Sequence, residues 1–146
     1  MKIAVIGGGG VRSMFLAKSL AQGSEELGFD EIVFMDNDEK KLNIYGRMSA
    51  QLVKTLHPGL DFKLTTDPVE AVKDADYIIT TIRVGGDDMR IRDEKAALAK
   101  HLLGQETTGA AGFSFAMRSV PALAEYCELA KKYASPDVKI FNFTNP

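Results

Sequence analysis

At 146 residues, 45% hydrophobic and 26% charged, the chain has the size and balance of one soluble globular domain with a buried core, which excludes the disordered, collagen-like and disulfide-scaffold classes. Its 18 basic and 20 acidic residues leave a net charge of −2, so no broad electropositive field exists for nucleic acid or an anionic membrane. The single cysteine, Cys127, excludes an internal disulfide and, with two histidines, gives no zinc pattern; a reducing, cytoplasmic setting is expected.

Ile3 to Ile6 is a continuous apolar run of the kind shown by a parallel strand covered on both faces, and Gly7 to Gly10 end it. It is too short for a signal-peptide core or a bilayer span. From Val11 to Gln22 the residues Val11, Phe15, Leu16 and Leu20 recur at helical spacing, so the glycine loop opens a helix. Ile32 to Met35 reads as a second buried strand ending at Asp36. Asn37 or Asp38 can then cap a helix toward Leu56, with Leu42, Tyr45, Met48, Leu52 and Leu56 on one face, stopped by His57-Pro58-Gly59.

Phe62 to Thr65 alternates and suggests an outer strand. Asp67-Pro68-Val69-Glu70 carries an N-cap, a proline at the first helical position and a glutamate at the third, the start of a short helix. Tyr77 to Ile82 is a β-branched run suited to the sheet centre. Met89 to Leu103 reads as a helix charged at its start, Ala110 to Ala134 as a longer helical stretch with a break expected near Pro121, and Val138 to Phe143 as the last strand.

Five strands alternating with helices predict an α/β fold, a Rossmann-like doubly wound parallel sheet with helices on both faces. Short right-handed crossovers give strand order 3-2-1-4-5, with ligands at the carboxyl edge beside the switch between strands 1 and 4. The Gly7 loop, Asp36, the Ile82-Arg83 stretch and Asn145 are expected on that edge. The chain stops directly after a strand, so residues 1–146 are expected to be one NAD-binding domain, the N-terminal part of a longer enzyme.

Gly7-Gly8-Gly9-Gly10-Val11-Arg12 follows a strand and opens a helix, as a loop that brings backbone amides against a pyrophosphate does. The third glycine of the dinucleotide fingerprint is replaced by Arg12, which predicts a wider gap between helix and strand. A tight strand-to-helix turn alone would also use glycines. Asp36, at the end of the second strand and about twenty residues beyond the loop, tips the reading toward a cofactor. An acid there accepts both ribose hydroxyls and repels a 2′-phosphate, so NAD is expected over NADP; capping the next helix is its alternative role. The expected cofactor-binding set is Gly7, Gly8, Gly9, Gly10, Val11, Arg12, Asp36, Ile82 and Arg83.

The stretch 80–118 is unusually polar for a core. It carries Arg83-Val84-Gly85-Gly86, then Arg90 with Asp93-Glu94, then Gly104-Gln105-Glu106-Thr107-Thr108-Gly109 followed by Gly112 and Arg118, and the chain closes on Thr144-Asn145-Pro146. Solvated helix faces and a surface loop would explain each piece separately. Together with Gly7-Gly8-Gly9 and Asp36, their order and spacing resemble the N-terminal part of family 4 glycoside hydrolases, the NAD-dependent 6-phospho-glycosidases such as 6-phospho-β-glucosidases. The Gly-Gln-Glu-Thr-Thr-Gly block is far more specific than a glycine fingerprint.

The resemblance implies hydrolysis by redox chemistry. In that family NAD takes a hydride from C3 of the sugar, a tyrosine removes the acidified C2 proton, the glycosidic oxygen leaves, water adds, and the hydride returns. A divalent metal, commonly manganese, polarises the C2 and C3 oxygens. By matching motifs, Arg90 binds the substrate, with a fork suited to a 6-phosphate, Glu106 tunes the base tyrosine, and Asn145 bonds the sugar. The family's metal-ligating cysteine and histidine and its tyrosine have no counterpart in this sequence, so no metal ligand is expected here, and Cys127, His57 and His101 are not in ligand positions. A homo-oligomer is expected of the full-length enzyme.

Two departures stand out: Gly10-Val11-Arg12-Ser13-Met14 replaces a serine, an aromatic and threonine-proline, and Ala96-Ala97-Leu98 replaces isoleucine-proline-leucine. Two other readings stay open on the residues alone: a lactate- or malate-type NAD-dependent dehydrogenase, and a non-catalytic NAD-sensing module. The first lacks its substrate arginines and catalytic histidine here. The second has no use for Arg90, Glu106 and Asn145.

Overall fold

The computed structural model describes residues 1–144. The chain divides into two compact units, Met1–Thr81 with Leu129–Asn142, and Ile82–Glu128 with Phe143 and Thr144.

The first unit holds the whole sheet. Strands β1 (Lys2–Ile6), β2 (Glu31–Met35), β3 (Asp61–Thr65), β4 (Tyr77–Thr80) and β5 (Lys139–Asn142) are parallel, in the order β3-β2-β1-β4-β5 that the strand–helix alternation predicts. Ile3, Val5, Ile32 and Phe34 point into a core closed by Ala17, Leu20 and Ala21 of α1 (Ser13–Leu27) and Val53 of α3 (Arg47–Leu56); the short α2 (Glu39–Lys41) precedes α3, and α4 (Pro68–Val72), capped by Asp67 as expected, follows β3. The alternate residues Ala4, Ile6, Val33 and Met35 are at most 2% exposed, so β1 and β2 are covered on both faces. That double burial is why both strands read as unbroken apolar runs.

Three local expectations are corrected in the first unit. First, α1 begins at Ser13 rather than Val11 and runs on to Leu27, where Gly28 closes it at φ 74° with its amide on the Ser24 carbonyl. Val11 and Phe15 are 64% and 70% exposed, and the inward positions go to Leu20 and to Ser13, Ala17, Ala21 and Ser24, the last four being small residues that let the helix lie close to the sheet. Arg12 is exposed as the residue before that helix, so it does not wedge helix from strand.

Second, the stretch toward Leu56 contains a π-helical turn, Leu42–Gly46. Its wider turn moves the buried face to Leu42, Gly46, Ser49 and Val53, leaving Met48 and Leu56 exposed. Gly46 lets the turn lie close to β3, since a Cβ would lie 2.8 Å from Leu64 Cδ2 and push that side-chain end aside.

Third, β4 ends at Thr80, and Thr81 adds one more amide bond to the Ile6 carbonyl, 2.8 Å, before the chain leaves the sheet.

In the second unit α5 spans Gly86–Leu98 instead of Met89 to Leu103. Gly85 and Gly86 adopt positive φ and start it early, while His101 at φ 58° and Leu102, whose amide bonds the Ala97 carbonyl, turn the chain out of the helix. Helix α6 (Gly109–Tyr133) continues through Pro121 without the expected break. Among the described residues no helix is long and apolar enough to cross a membrane.

Candidate functional site

In the first unit the carboxyl ends of β1 and β2 form a cradle. The amides of Gly7 and Gly8 both reach the Met35 carbonyl at 2.8 Å, which folds the glycine loop over the end of β2. The packing leaves no room for side chains: an added Cβ would lie 2.7 Å from Thr81 Oγ1 at Gly7, 2.6 Å from Phe34 Cβ at Gly8 and 2.8 Å from Asp36 Oδ2 at Gly9. Gly7 also sits at φ 100°, a conformation other residues rarely adopt. At Gly10 the nearest atom to such a Cβ is 3.6 Å away, so nothing in the protein itself demands a glycine there.

Asp36 is the hinge of this cradle. Its Oδ2 accepts the Gly9 amide at 2.9 Å and its Oδ1 accepts the Asp38 amide at 2.9 Å. The helix cap is Asp38, which accepts the Lys41 amide at 3.1 Å. Asp36 is therefore free of the capping duty and fixed at the sheet edge. Each of its oxygens keeps acceptor capacity for a further donor. Beyond the loop, the Ser13 hydroxyl and amide reach the Gly10 carbonyl at 2.6 and 3.0 Å and the Phe15 and Leu16 amides bond the Arg12 carbonyl, while the amides of Val11, Arg12 and Met14 make no hydrogen bond among the described residues and are the donors left open at this helix start. Thr81, absent from the sequence-based set, packs against Gly7 and donates to its carbonyl at 3.2 Å; its place directly after the strand beside β1 is the signal that could have found it.

The second unit gathers the remaining charged candidates. Ile82 is half-buried in the chain leading out of β4. Arg83, whose carbonyl accepts the Gly86 amide at 3.1 Å, pairs through Nη1 with Glu106 Oε1, and its Nε stands 4.0 Å from Asp87. Arg90 Nε donates to Glu94 at 2.9 Å and lies 3.4 Å from Glu106 Oε2. Glu106 is thus held between two arginines. The hydrogen bond to Glu94, and then the charge of Glu106, hold the Arg90 guanidinium above its usual range. The terminal nitrogens of Arg90 make no hydrogen bond among the described residues, leaving its outer fork open to an anion. Arg83, Arg90, Glu94, Glu106, Ala111 and Phe115 line a shallow depression.

Gly112 explains how the 104–109 block reaches this place. A Cβ on it would lie 2.8 Å from the Thr107 backbone, so the first turn of α6 can carry the loop that presents Glu106. Helices α5 and α6 are locked together by Asp93, which is 8% exposed: Arg118 reaches its two oxygens at 3.2 and 2.5 Å, and Ser114 donates at 2.7 Å. The Arg118 bonds first, then Ser114, hold the Asp93 carboxyl below the usual carboxylate range against the opposing effect of burial. Sequence reasoning gave Asp93 and Arg118 no role and missed Ser114; acid and base separated by 25 residues carry no local spacing signal. Asn145 lies outside the described residues. Among those described, no group of three or more His, Cys, Asp or Glu side chains is placed to hold a metal ion.

Comparison with known proteins gives the family. The family model described as family 4 glycosyl hydrolase matches residues 2–146. The 6-phospho-beta-glucosidase BglT of Thermotoga maritima is 43% identical over 148 residues, covering 100% of this chain and 34% of its own length. A 6-phospho-alpha-glucosidase from gut microorganisms, solved with NAD and glucose-6-phosphate, superposes with a TM-score of 0.95 at 34% identity over 100% of this chain and 34% of that one. The Thermotoga maritima 6-phospho-beta glucosidase solved with manganese, NAD+ and glucose-6-phosphate gives a TM-score of 0.91 at 40% identity over 100% of this chain and 35% of that one. The chain therefore spans about a third of the length of these relatives. Matched over nearly its whole length, the chain belongs to the family 4 glycosyl hydrolases.

Proposed function

We propose that the chain is the NAD-binding portion of a longer, cytoplasmic, oligomeric enzyme that hydrolyses 6-phospho-glycosides by oxidation at C3, elimination, water addition and re-reduction. The observation that carries this is the cradle in which Gly9 donates to Asp36 at 2.9 Å while Gly7, Gly8 and Gly9 leave no space for a Cβ. A dinucleotide fits that cradle. Gly7 to Gly10, whose own amides are already bonded, would let the pyrophosphate approach the backbone, Val11 and Arg12 would offer it their amides at the start of α1, and Asp36 would accept the ribose hydroxyls on lone pairs that its amide partners leave unused. Bound NAD supplies the hydride acceptor, and later the donor, for C3 of the sugar. Ile82 and Arg83 follow Thr81, the residue after β4, and are assigned to the cofactor side.

Arg90 would bind the substrate 6-phosphate through its open fork. Glu106, oriented by Arg83 and Arg90, would present an acceptor to a base tyrosine contributed from outside this sequence, and Asn145 would bond the sugar. NAD and glucose-6-phosphate in the gut-microorganism relative, and manganese in that of Thermotoga maritima, support these assignments. The described residues offer no donor set for such a metal, which would be held by other parts of the enzyme.

The test is a pair of measurements. The 146-residue chain should bind NAD weakly and leave a chromogenic 6-phospho-glycoside intact. Joined to the remaining length that its relatives have, it should hydrolyse that substrate and transfer no hydride to 2-oxo acids. Turnover by the chain alone, or reduction of 2-oxo acids by the long form, overturns the reading.

A further inference from the structure

Beyond Asp36, at the carboxyl edge of the first unit, a groove opens that no role above accounts for. It is lined by Glu39, Leu42, Asn43, Leu64, Thr65 and Thr66. It adjoins the Asp36 position directly, since the Asp36 amide donates to the Thr65 carbonyl at 3.3 Å. Its charged residue is Glu39, the first residue of α2, exposed and without a side-chain hydrogen bond or ion pair among the described residues. Neither lysine that follows lines the groove: Lys41 is drawn to Asp38 at 3.5 Å, and Lys40 is exposed.

We propose that Glu39 is a second determinant of coenzyme choice, its free carboxylate setting the groove beside Asp36 against a 2′-phosphate. The inference rests on the NAD reading. Asp36 is tied to Gly9 and Asp38, so it cannot swing away, and the ribose hydroxyls that meet it are fixed at this edge. Gly9 packs so closely on Asp36 that a Cβ there would lie 2.8 Å from its Oδ2, so a phosphate on the 2′-oxygen would extend away from the loop, toward the groove. There it meets a carboxylate and no base, whereas sites that accept a 2′-phosphate supply an arginine. Glu39 lines the groove and takes no part in the Gly9–Asp36–Asp38 contacts, so its charge would discriminate between the two dinucleotides with little effect on the binding of NAD.

Calorimetric titration of NAD and of NADP into the 146-residue chain and its Glu39→Gln and Glu39→Lys variants tests this. The parent chain should bind NADP at least about tenfold more weakly than NAD, and removing one charge at several ångströms in water should tighten NADP by about fivefold, reversing it by about twentyfold. NAD affinity should stay within about twofold in both variants, and the gain for Glu39→Lys should shrink as salt screens it. An NADP-to-NAD ratio unchanged in both variants, or a parent chain that binds the two equally, overturns the role of Glu39 and leaves the NAD reading standing. A parent chain that binds neither dinucleotide overturns both. Glu39 is exposed, so matching melting temperatures are expected, and Glu39→Gln alone decides the matter if Glu39→Lys is not folded.

Discussion

The carboxylate of Asp36 accepts the amide of Gly9 at 2.9 Å and, through its other oxygen, that of Asp38 at 2.9 Å, so one side chain ties the glycine loop to the start of the next helix. Asp36→Ala should therefore do two things. Leaving two partly buried amides unpaired costs about 1–3 kcal/mol of stability, and NAD affinity should fall by at least about tenfold with the loss of the ribose acceptor and the loosening of the loop. Thermal melting and NAD titration measure the two effects separately. An unchanged NAD affinity would remove Asp36 from the cofactor site and leave it a structural clamp.

Gly8 and Gly10 should behave oppositely. Gly8→Ala forces a methyl to within 2.6 Å of Phe34 Cβ, and Phe34 is fully buried with nowhere to move; overpacking of this kind costs about 1–3 kcal/mol. Gly10→Ala meets nothing closer than 3.6 Å, so the melting temperature should hold. A fall in NAD affinity without a fall in stability at Gly10 would report close approach of the ligand. Equal destabilisation by both substitutions would contradict the packing described.

Much of this was open to sequence reading because β1 and β2 are buried on both faces: their apolar runs, the glycines between strand and helix, and Asp36 at the strand end all follow from one local geometry. The errors arose where tertiary packing set the phase. Phe15 looked inward by periodicity, yet Ser13 and Ala17 take those places because only small residues let α1 approach the strands. A π-helical turn at Leu42–Gly46 shifted the buried face of the following helix, and no sequence period announces it. Pro121 was expected to break α6 and does not. The second-unit pairings Arg83–Glu106 and Asp93–Arg118 join residues 23 and 25 apart, a separation at which only the folded chain shows partnership.

Arg90→Met should separate the substrate site from the cofactor site. The methionine keeps most of the side-chain length and loses the fork, so glucose 6-phosphate binding should weaken by at least about tenfold while NAD binding stays within about twofold. Arg90→Lys should recover only part of the loss, because an ammonium replaces a bidentate fork with a point charge. Titrating glucose alongside glucose 6-phosphate isolates the phosphate contribution. Equal weakening of both sugars would argue against a phosphate contact.

The Asp93–Arg118 pair sets how the second unit meets acid. Its bonds hold the Asp93 carboxyl below its ordinary value of 3.8, so the folded state binds that proton less readily than the unfolded chain does. The stability this contributes is fully present above the ordinary value and is lost as pH falls through the lower folded one. Arg118→Met takes away the guanidinium and leaves a buried carboxylate bonded only to Ser114, at a cost of about 1–3 kcal/mol near neutral pH. It also reverses the balance at Asp93: burial, no longer opposed by the arginine, favours the protonated acid, and protonation should then relieve the defect instead of creating one. Helical circular dichroism followed from pH 7 to pH 2 should therefore show the parent losing stability relative to Arg118→Met as the pH drops below about 4, with the two curves converging. Asp93→Asn, which has no proton to gain at this position, should lose less stability than the parent across that window, where Asp30 and Asp38 still titrate. A stability gap between parent and Arg118→Met that stays constant down to the lowest pH would mean that the ion pair does not govern the acid response of α5 and α6.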